Sequence, residues 1–557
     1  MRQIKFFLSL VLMISLTTAT YSKDVDTEYH PYPKISKKSG VKLPIRSVKP
    51  IVISTLDEMQ DYMKKDNVHV ILEAGEYWIT AQEVSAGKYP SITEVVENRP
   101  SNALFLVTAN GSTYDFGGAV IQIESKEIFN LPYLKGELVD LHILGNNNVI
   151  TGVTFVDNAG IHDFPPKGCT NVMIDGRENI VDNLTLRSVG SMPYGYGDIF
   201  GKGGGALIKL KKHCGVLVRG DDNTFQNSTV YHNAYGHCVF MQGAVRPNII
   251  NNHISSKMIT TEAILAEKGD PNSKANQIDF MTTWGYQMTK NLNYTKAVCE
   301  AGIRAYNSGN TMIDGVRYRR KAVDGPYIAG NYVKDTRVGV TLTHSNNVTR
   351  RTLVEDCITL GTERGYAVND YAIVRNCASD AKYGPAFGVD YPSGKGNIID
   401  IKIVDEKSSD YIVSPYDGKS YRTGNGEAHV AYIQGSGHRI KFREGRIKDI
   451  YKQIHTTCAD RKISFSAFDL GGHIRIISNI WKPTKDGQNA PETLNNDNKS
   501  RLVDSYIANE TSIPIRVDAN SEGNHIWSVG QVYEEKKGTN EVVQGEDWKI
   551  NKVFDLE

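Results

Sequence analysis

The chain has 557 residues, 40% of them hydrophobic and 23% charged, with a formal net charge of +1. That balance lacks the strongly basic footprint of most nucleic-acid-binding proteins, so no nucleic-acid partner is expected. An anionic polymer can still bind through a local cationic groove, which a net charge does not reveal.

Residues 1–22 read as a cleaved signal peptide. Arg2 and Lys5 form a basic start, Phe6 to Leu16 is apolar but too short to span a bilayer, and Thr20-Tyr21-Ser22 supplies small residues. The expected location is secreted or periplasmic, and no later stretch approaches the length of a membrane span. Without Arg2 and Lys5 the chain carries 62 basic and 63 acidic residues. Residues 23–50 read as a polar N-terminal extension, 51–480 as the main domain, and 481–557 as the C-terminal coils and tail.

Ile51 to Thr80 reads strand, helix, strand. Ser54-Thr55-Leu56-Asp57-Glu58-Met59 opens the helix with a cap and an acidic first turn. Val68 to Leu72 is the first buried strand, and Gly75 to Ile79 the next.

A repeated line then dominates. Leu141 to Phe155, Val172 to Leu186, Val216 to Val230 and Val239 to Ile254 each read as an apolar run, a Gly, an Asn and a second apolar run. Their Gly residues (145, 176, 220, 243) step by 31, 44 and 23 positions. A step in the low twenties, widened by insertions, is the period of a coiled solenoid of strands, so the fold class is all-β. Gly and Asn suit the corners, where left-handed backbone is needed, and stacked Asn can form amide ladders. Two long insertions break the pattern, Met192 to Lys212 and about Ser255 to Cys299. Coils resume at Ile328 and persist past Ala431-Tyr-Ile-Gln-Gly435.

Seven Cys without a CxxC need no disulfide framework at this length. Cys357 and Cys377 sit in matching contexts and read as buried residues on successive coils. His213-Cys214 and His237-Cys238 invite a zinc reading, but coil repetition explains them equally well.

The chemistry is expected where the repeat is interrupted, because insertions at coil corners wall a sheet face into a cleft. The catalytic candidates there are Lys268, Arg304, His237 and His232. Arg246, Lys257, Trp284, Tyr286 and Tyr306 are candidates to bind substrate. Glu262 and Glu267 are candidates to hold a Ca²⁺ cofactor, or simply to pair with the cations. Arg304 alternates with Ile303 and Ala305, so it should face away from the core. His232 also fits an exposed coil position, and His237 a hydrogen-bonded core or corner histidine.

The helix followed by Val70-Ile-Leu72-Glu-Ala-Gly75-Glu-Tyr77 resembles the start of right-handed parallel β-helices of the pectate-lyase type. There an N-terminal helix caps the first coil. Asn251 to Gly269 and Gly302-Ile-Arg304-Ala-Tyr306-Asn-Ser-Gly309 resemble a stretch of the alginate and chondroitin β-helix lyases. That resemblance implies Lys268 as the catalytic lysine and Arg304 as the catalytic arginine. Lys268 stands one position late, an insertion separates it from Arg304, and Ala-Tyr replaces the usual His-Gly. The chain also resembles β-helix enzymes acting on ulvan and other uronate polymers, including oligosaccharide dehydratases. The implied partner is an anionic polysaccharide or oligosaccharide, and the implied reaction is β-elimination. That reaction needs a cation to stabilise the enolate, a base for the C5 proton and an acid for the leaving oxygen.

Two other readings stand beside it. A β-helix glycoside hydrolase would use paired carboxylates. Asp221-Asp222 is the obvious pair, with Gly236-His237 downstream, but it occupies a Gly-x-x-Asn corner and looks like a turn. A non-catalytic adhesin solenoid would lack a walled cleft.

Overall fold

The computed structural model describes residues 39–545, except 191–210, 261–294, 405–411, 414–419, 422–429, 446–473, 476–500 and shorter gaps between 90 and 167, 309 and 384, and 514 and 535. The predicted signal peptide lies outside the described residues, as do Glu262, Glu267, Lys268, Trp284, Tyr286 and Cys458.

Short strands stack in parallel, each coil on the one before. One stack is a 14-stranded sheet, here the front sheet. Its central members are Glu137–Ile143, Cys169–Ile174, His213–Val218, His237–Gln242, Ala301–Tyr306, Val338–Thr341 and Arg364–Val368. The register carries Leu141 onto Val172, Val216, Val239, Ile303, Val340 and Tyr366 in turn. A 23-stranded sheet supplies the other strands of each coil, such as Thr224–Gln226 and Thr229–Ala234. The chain is therefore a parallel β-helix, as the repeat predicts. The stacking continues through Tyr506–Asn509, His525–Ser528 and Glu541–Gln544.

One hydrophobic cluster fills the solenoid from Ile53 to Ile526. The N-terminal helix spans Leu56–Tyr62 and turns Leu56 and Met59 into it. Thr55 caps the helix: its hydroxyl accepts from the Glu58 amide, and the Glu58 carboxylate accepts from Ser54 and Thr55. Two further short helices, Ala81–Ser85 and Ser125–Phe129, are not anticipated. Thr80 and Glu83 form a capping box at the first of them, a signal present in the sequence.

The corners explain the Gly and Asn content. Asn147, Glu178, Asp222 and Arg246 occupy one corner of successive coils, with φ of 58°, 55°, 58° and 49°. Their amides link coil to coil: Asn147 donates to Arg177, Glu178 to Asp221, Asp222 to Val245 and Arg246 to Asp324. The next corner uses Asn183, Asn227 and Asn251, also at positive φ. Asn147, Asp222, Asn183, Asn227 and Asn251 are of the short polar kind that tolerates this left-handed backbone better than most; Glu178 and Arg246 are not.

Buried asparagines form the expected ladders. Asn179 Oδ1 accepts from the Asn148 amide at 2.9 Å, and Asn223 Oδ1 accepts from the Asn179 amide at 2.9 Å. Asn179 Nδ2 also donates to the Gly145 carbonyl at 2.8 Å. Asn179→Ala would leave two buried backbone groups unpaired, so we expect it to cost about 2–4 kcal/mol in chemical denaturation. A loss below ~0.5 kcal/mol would mean that water reaches this corner.

A later ladder incorporates a histidine. Asn397 N–H donates to His438 Nδ1 at 3.2 Å, while His438 Nε2 bonds the Gln434 carbonyl at 3.0 Å. Nε2 must therefore carry the proton and Nδ1 the lone pair. Burial pushes His438 down to about 4 from an ordinary value of 6.5. Its folded pKa lies below its unfolded one, so protonation favours unfolding. The stability it supports is whole above pH 6.5 and is lost as pH falls towards 4. His438→Gln keeps a ladder acceptor without a titrating group. Denaturation midpoints across this window should fall less steeply in the variant; equal slopes would refute the assignment.

All six described cysteines (169, 214, 238, 299, 357, 377) are buried and free of disulfides. Cys357 and Cys377 contact each other in the core, as their matching contexts suggest. The two His-Cys pairs split across the sheet wall. Cys238 lies in the core and His213 turns inward to Asp157, with Nε2 and Oδ2 3.2 Å apart. Cys214 lies in a separate cluster on the outer side, and His237 stands beside Phe240 of that cluster.

Candidate active site

The outer face of the front sheet gathers the candidate chemistry at the coils carrying His237–Gln242 and Ala301–Tyr306. Along the second of these strands Ile303 and Ala305 enter the core, while Arg304 and Tyr306 are only partly buried. This is the outward placement that the alternation predicts.

The register pairs His237 with Ala301 and so sets His237 beside Glu300. His237 Nε2 lies 3.0 Å from Glu300 Oε2. Lys212 Nζ donates to the same oxygen at 2.5 Å. The His237 ring is 5.1 Å from the Tyr306 ring and 5.2 Å from Phe240. The Arg304 guanidinium lies over the Tyr306 ring at 4.2 Å, a cation–π contact. The His344 ring stacks against Tyr306 at 6.0 Å.

Burial and charge set the protonation states. Burial drives His237 down to about 4 against the pull of Glu300, with Lys212 and Arg304 adding to the drop. The imidazole is therefore neutral at pH 7. Burial works against the Glu300 carboxylate, but His237 and Lys212 outweigh it and keep it ionised. A neutral His237 facing that carboxylate must donate through Nε2–H, which leaves the lone pair on Nδ1. Among the described residues Nδ1 has no hydrogen-bond partner, and neither has Arg304 Nε. Burial pushes the Tyr306 phenol up to about 12, with Arg304 opposing, so it is protonated at pH 7.

The cluster thus holds a neutral base tethered to a carboxylate, a cation with donors to spare, and a protonated phenol beside both. This is the set that an elimination α to a carboxylate requires. A hydrolase of the usual kind needs two carboxyls facing the sugar. Here Glu300 is 3% exposed and already engaged by Lys212 and His237.

The other sequence candidates lie elsewhere. His232 is corrected: the exposed coil reading fails. Val230, His232 and Ala234 take the inner positions of Thr229–Ala234, and His232 is completely buried. Its ring packs 6.3 Å from His213, and burial and these neighbours drive its pKa well below the usual value. Arg246 sits at the left-handed corner, where its Nε donates to Asp222 at 2.6 Å, so it is not brought to the His237 cluster. Asp221 and Asp222 belong to that corner, which is the turn their spacing suggests. Lys257 is exposed at the start of the second insertion, where its carbonyl accepts from Val298. Among the described residues, no group of three or more His, Cys, Asp or Glu side chains is placed to hold a metal.

Sequence reasoning misses Lys212, Glu300 and His344. Aligning Cys214, His237 and Ala301 as one register column would have placed Glu300 beside His237. Nothing in Thr341-Leu-Thr-His344-Ser sets His344 apart.

No family model matches the chain, and no curated protein does. Among solved structures it is similar to a PL6 alginate lyase in complex with a trisaccharide, at 12% identity and a TM-score of 0.38, over 90% of this chain and 89% of that one. It is similar to a mannuronic acid specific polysaccharide family 6 lyase from human gut microbiota, at 9% identity and a TM-score of 0.32, over 90% and 93%. It is similar also to the Dettilon tailspike protein, at 11% identity and a TM-score of 0.30, over 83% and 65%. At these values the likeness carries no information about chemistry.

Proposed function

We propose that this chain is a secreted enzyme that performs β-elimination on a uronic-acid-containing polysaccharide or oligosaccharide, of which ulvan is one candidate. The observation that carries the reading is the outward cluster of Arg304, Tyr306 and a His237 held neutral by burial while bonded to Glu300.

In this reading Arg304 receives the uronate carboxylate. Its guanidinium neutralises the group and stabilises the charge that develops on it as C5 loses its proton. Glu300 fixes the His237 tautomer and Lys212 keeps Glu300 ionised. His237 Nδ1 is buried and the half-buried Tyr306 ring lies 5.1 Å from the imidazole, so in this reading the phenol meets the sugar and the imidazole takes and returns its proton. The C5–H and C4–O bonds break and a C4=C5 double bond forms. The proton ends on the leaving oxygen, which is the next sugar in a lyase or water in a dehydratase.

The test is incubation with a panel of uronate polymers and oligosaccharides, read by the ultraviolet absorbance of the unsaturated uronate and by mass. Absorbance with chain cleavage identifies a lyase, and absorbance with loss of water alone a dehydratase. New reducing ends without absorbance sink the proposal. The acid limb of activity should fall only as pH drops through about 4, where His237 gains its proton. A limb centred near 6.5 would remove His237 from the role.

A further inference from the structure

On that reading of the site, we infer that His344 is a positioning residue for the reaction: its ring holds the Tyr306 phenol in place beside Arg304 and His237 and keeps water off it. The need for such a residue comes from where the strands end. Tyr306 closes the strand Ala301–Tyr306, and its register partner on the preceding coil is Gln242. On the following coil Arg304 already faces Thr341, the last residue of Val338–Thr341. Tyr306 therefore stands two positions past the end of that strand, beyond the regular stacking of side chains.

His344 fills that place. Its ring lies 6.0 Å from the Tyr306 ring at an interplanar angle of 28°, whereas the His237 ring meets it at 58°. The near-parallel contact is the one that covers a ring face. The turn that carries His344 is anchored on both sides. Leu342 is buried in the core, and its amide donates to the Ala367 carbonyl at 2.8 Å. Ser345 is buried too, and its hydroxyl bonds that of Thr352. The His344 carbonyl accepts from the Val323 amide at 2.9 Å, and its Nδ1 lies 3.2 Å from Thr343 Oγ1. The ring also bonds the Ala305 backbone, one residue before the phenol. The imidazole is thus fixed by its own surroundings, as a group that orients another must be. His344 itself is only partly buried, so truncating it should leave the fold intact.

His344→Ala and His344→Phe test this, each checked for folding by its melting curve. On an oligosaccharide that the parent converts to unsaturated product, His344→Ala should lower kcat about tenfold and leave KM within about twofold. A misplaced reacting group costs rate rather than binding. His344→Phe keeps a ring against Tyr306 and should recover most of the loss. Full kcat in His344→Ala, or a folded His344→Phe as slow as the alanine variant, overturns the inference and leaves the elimination reading intact. Absence of unsaturated product from the parent on every substrate overturns the elimination reading, and the inference with it.

Ionisation of the phenol gives a readout that a purely structural role would not move. The ultraviolet difference between each protein and its Tyr306→Phe counterpart follows the Tyr306 titration. Burial holds the parent phenol up at about 12. Arg304, Glu300, Lys212, Cys214 and His237, the other ionisable groups around it, all remain in His344→Ala. A lower titration there than in the parent reports water admitted to the ring. An unchanged titration overturns the claim that His344 keeps the phenol dry.

Discussion

Arg304→Ala is expected to reduce formation of unsaturated uronate by about 10²–10³-fold in kcat, the usual cost of removing one donor aimed at developing charge. The elimination needs a cation on the uronate carboxylate to make the C5 proton acidic. That proton is held by a carbon next to an anionic carboxylate, and deprotonation would place a second charge on the same group. Lys212 cannot substitute, because its ammonium is committed to Glu300. Arg304→Lys should recover only part of the loss, since an ammonium lacks the planar fork that meets a carboxylate through two bonds. Stability should barely move. Arg304 Nε is buried without a hydrogen-bond partner among the described residues, so its removal relieves an unsatisfied group. The paired outcome matters: activity lost with the melting point retained marks a functional arginine. Activity within about threefold of the parent would contradict the assignment, because a charge-stabilising group contributes far more than that.

The fold was legible because its cause is local and repeated. Each Gly-x-x-Asn line encodes a corner at positive φ and a ladder asparagine, and both appear as Asn147–Asn148, Glu178–Asn179 and Asp222–Asn223. Alternation around Arg304 gave its outward direction for the same reason. The site was legible only in part. His237, Arg304 and Tyr306 fall on regular strands, where period and register apply. Lys212 and Glu300 lie at the edges of insertions, where sequence spacing no longer counts coils. His232 shows the limit of composition: a polar residue in a polar context suggested exposure, yet the alternation of Val230, His232 and Ala234 buries it. Burial keeps the ring neutral, and among the described residues neither ring nitrogen has a hydrogen-bond partner. Lys268, implied by the resemblance, and Trp284, an aromatic suited to stack on a sugar face, lie outside the described residues.

The largest effect on stability is expected from Asp175. Its carboxylate is fully buried, it receives the Arg219 guanidinium through both oxygens, and His142 Nε2 lies 2.6 Å away. Burial opposes the charge, but Arg219 and His142 overcome it and hold Asp175 down to about 2. The pair therefore stays charged across the ordinary pH range. Asp175→Ala strands the Arg219 charge at 2% exposure, and we expect a loss of about 3–5 kcal/mol in chemical denaturation. The attraction between the ions is not what that number measures. Most of it is the desolvation of a cation that can neither pair nor reach water. Replacing both partners with apolar residues, Asp175→Leu with Arg219→Met, should therefore restore at least half of the loss. A single variant costing less than ~1 kcal/mol would show that solvent reaches the Arg219 guanidinium. A double variant as unstable as the single one would show instead that the charges themselves specify how this wall packs. The two measurements together separate a buried pair kept for its charge from one that merely fills the space between Met173 and the next coil.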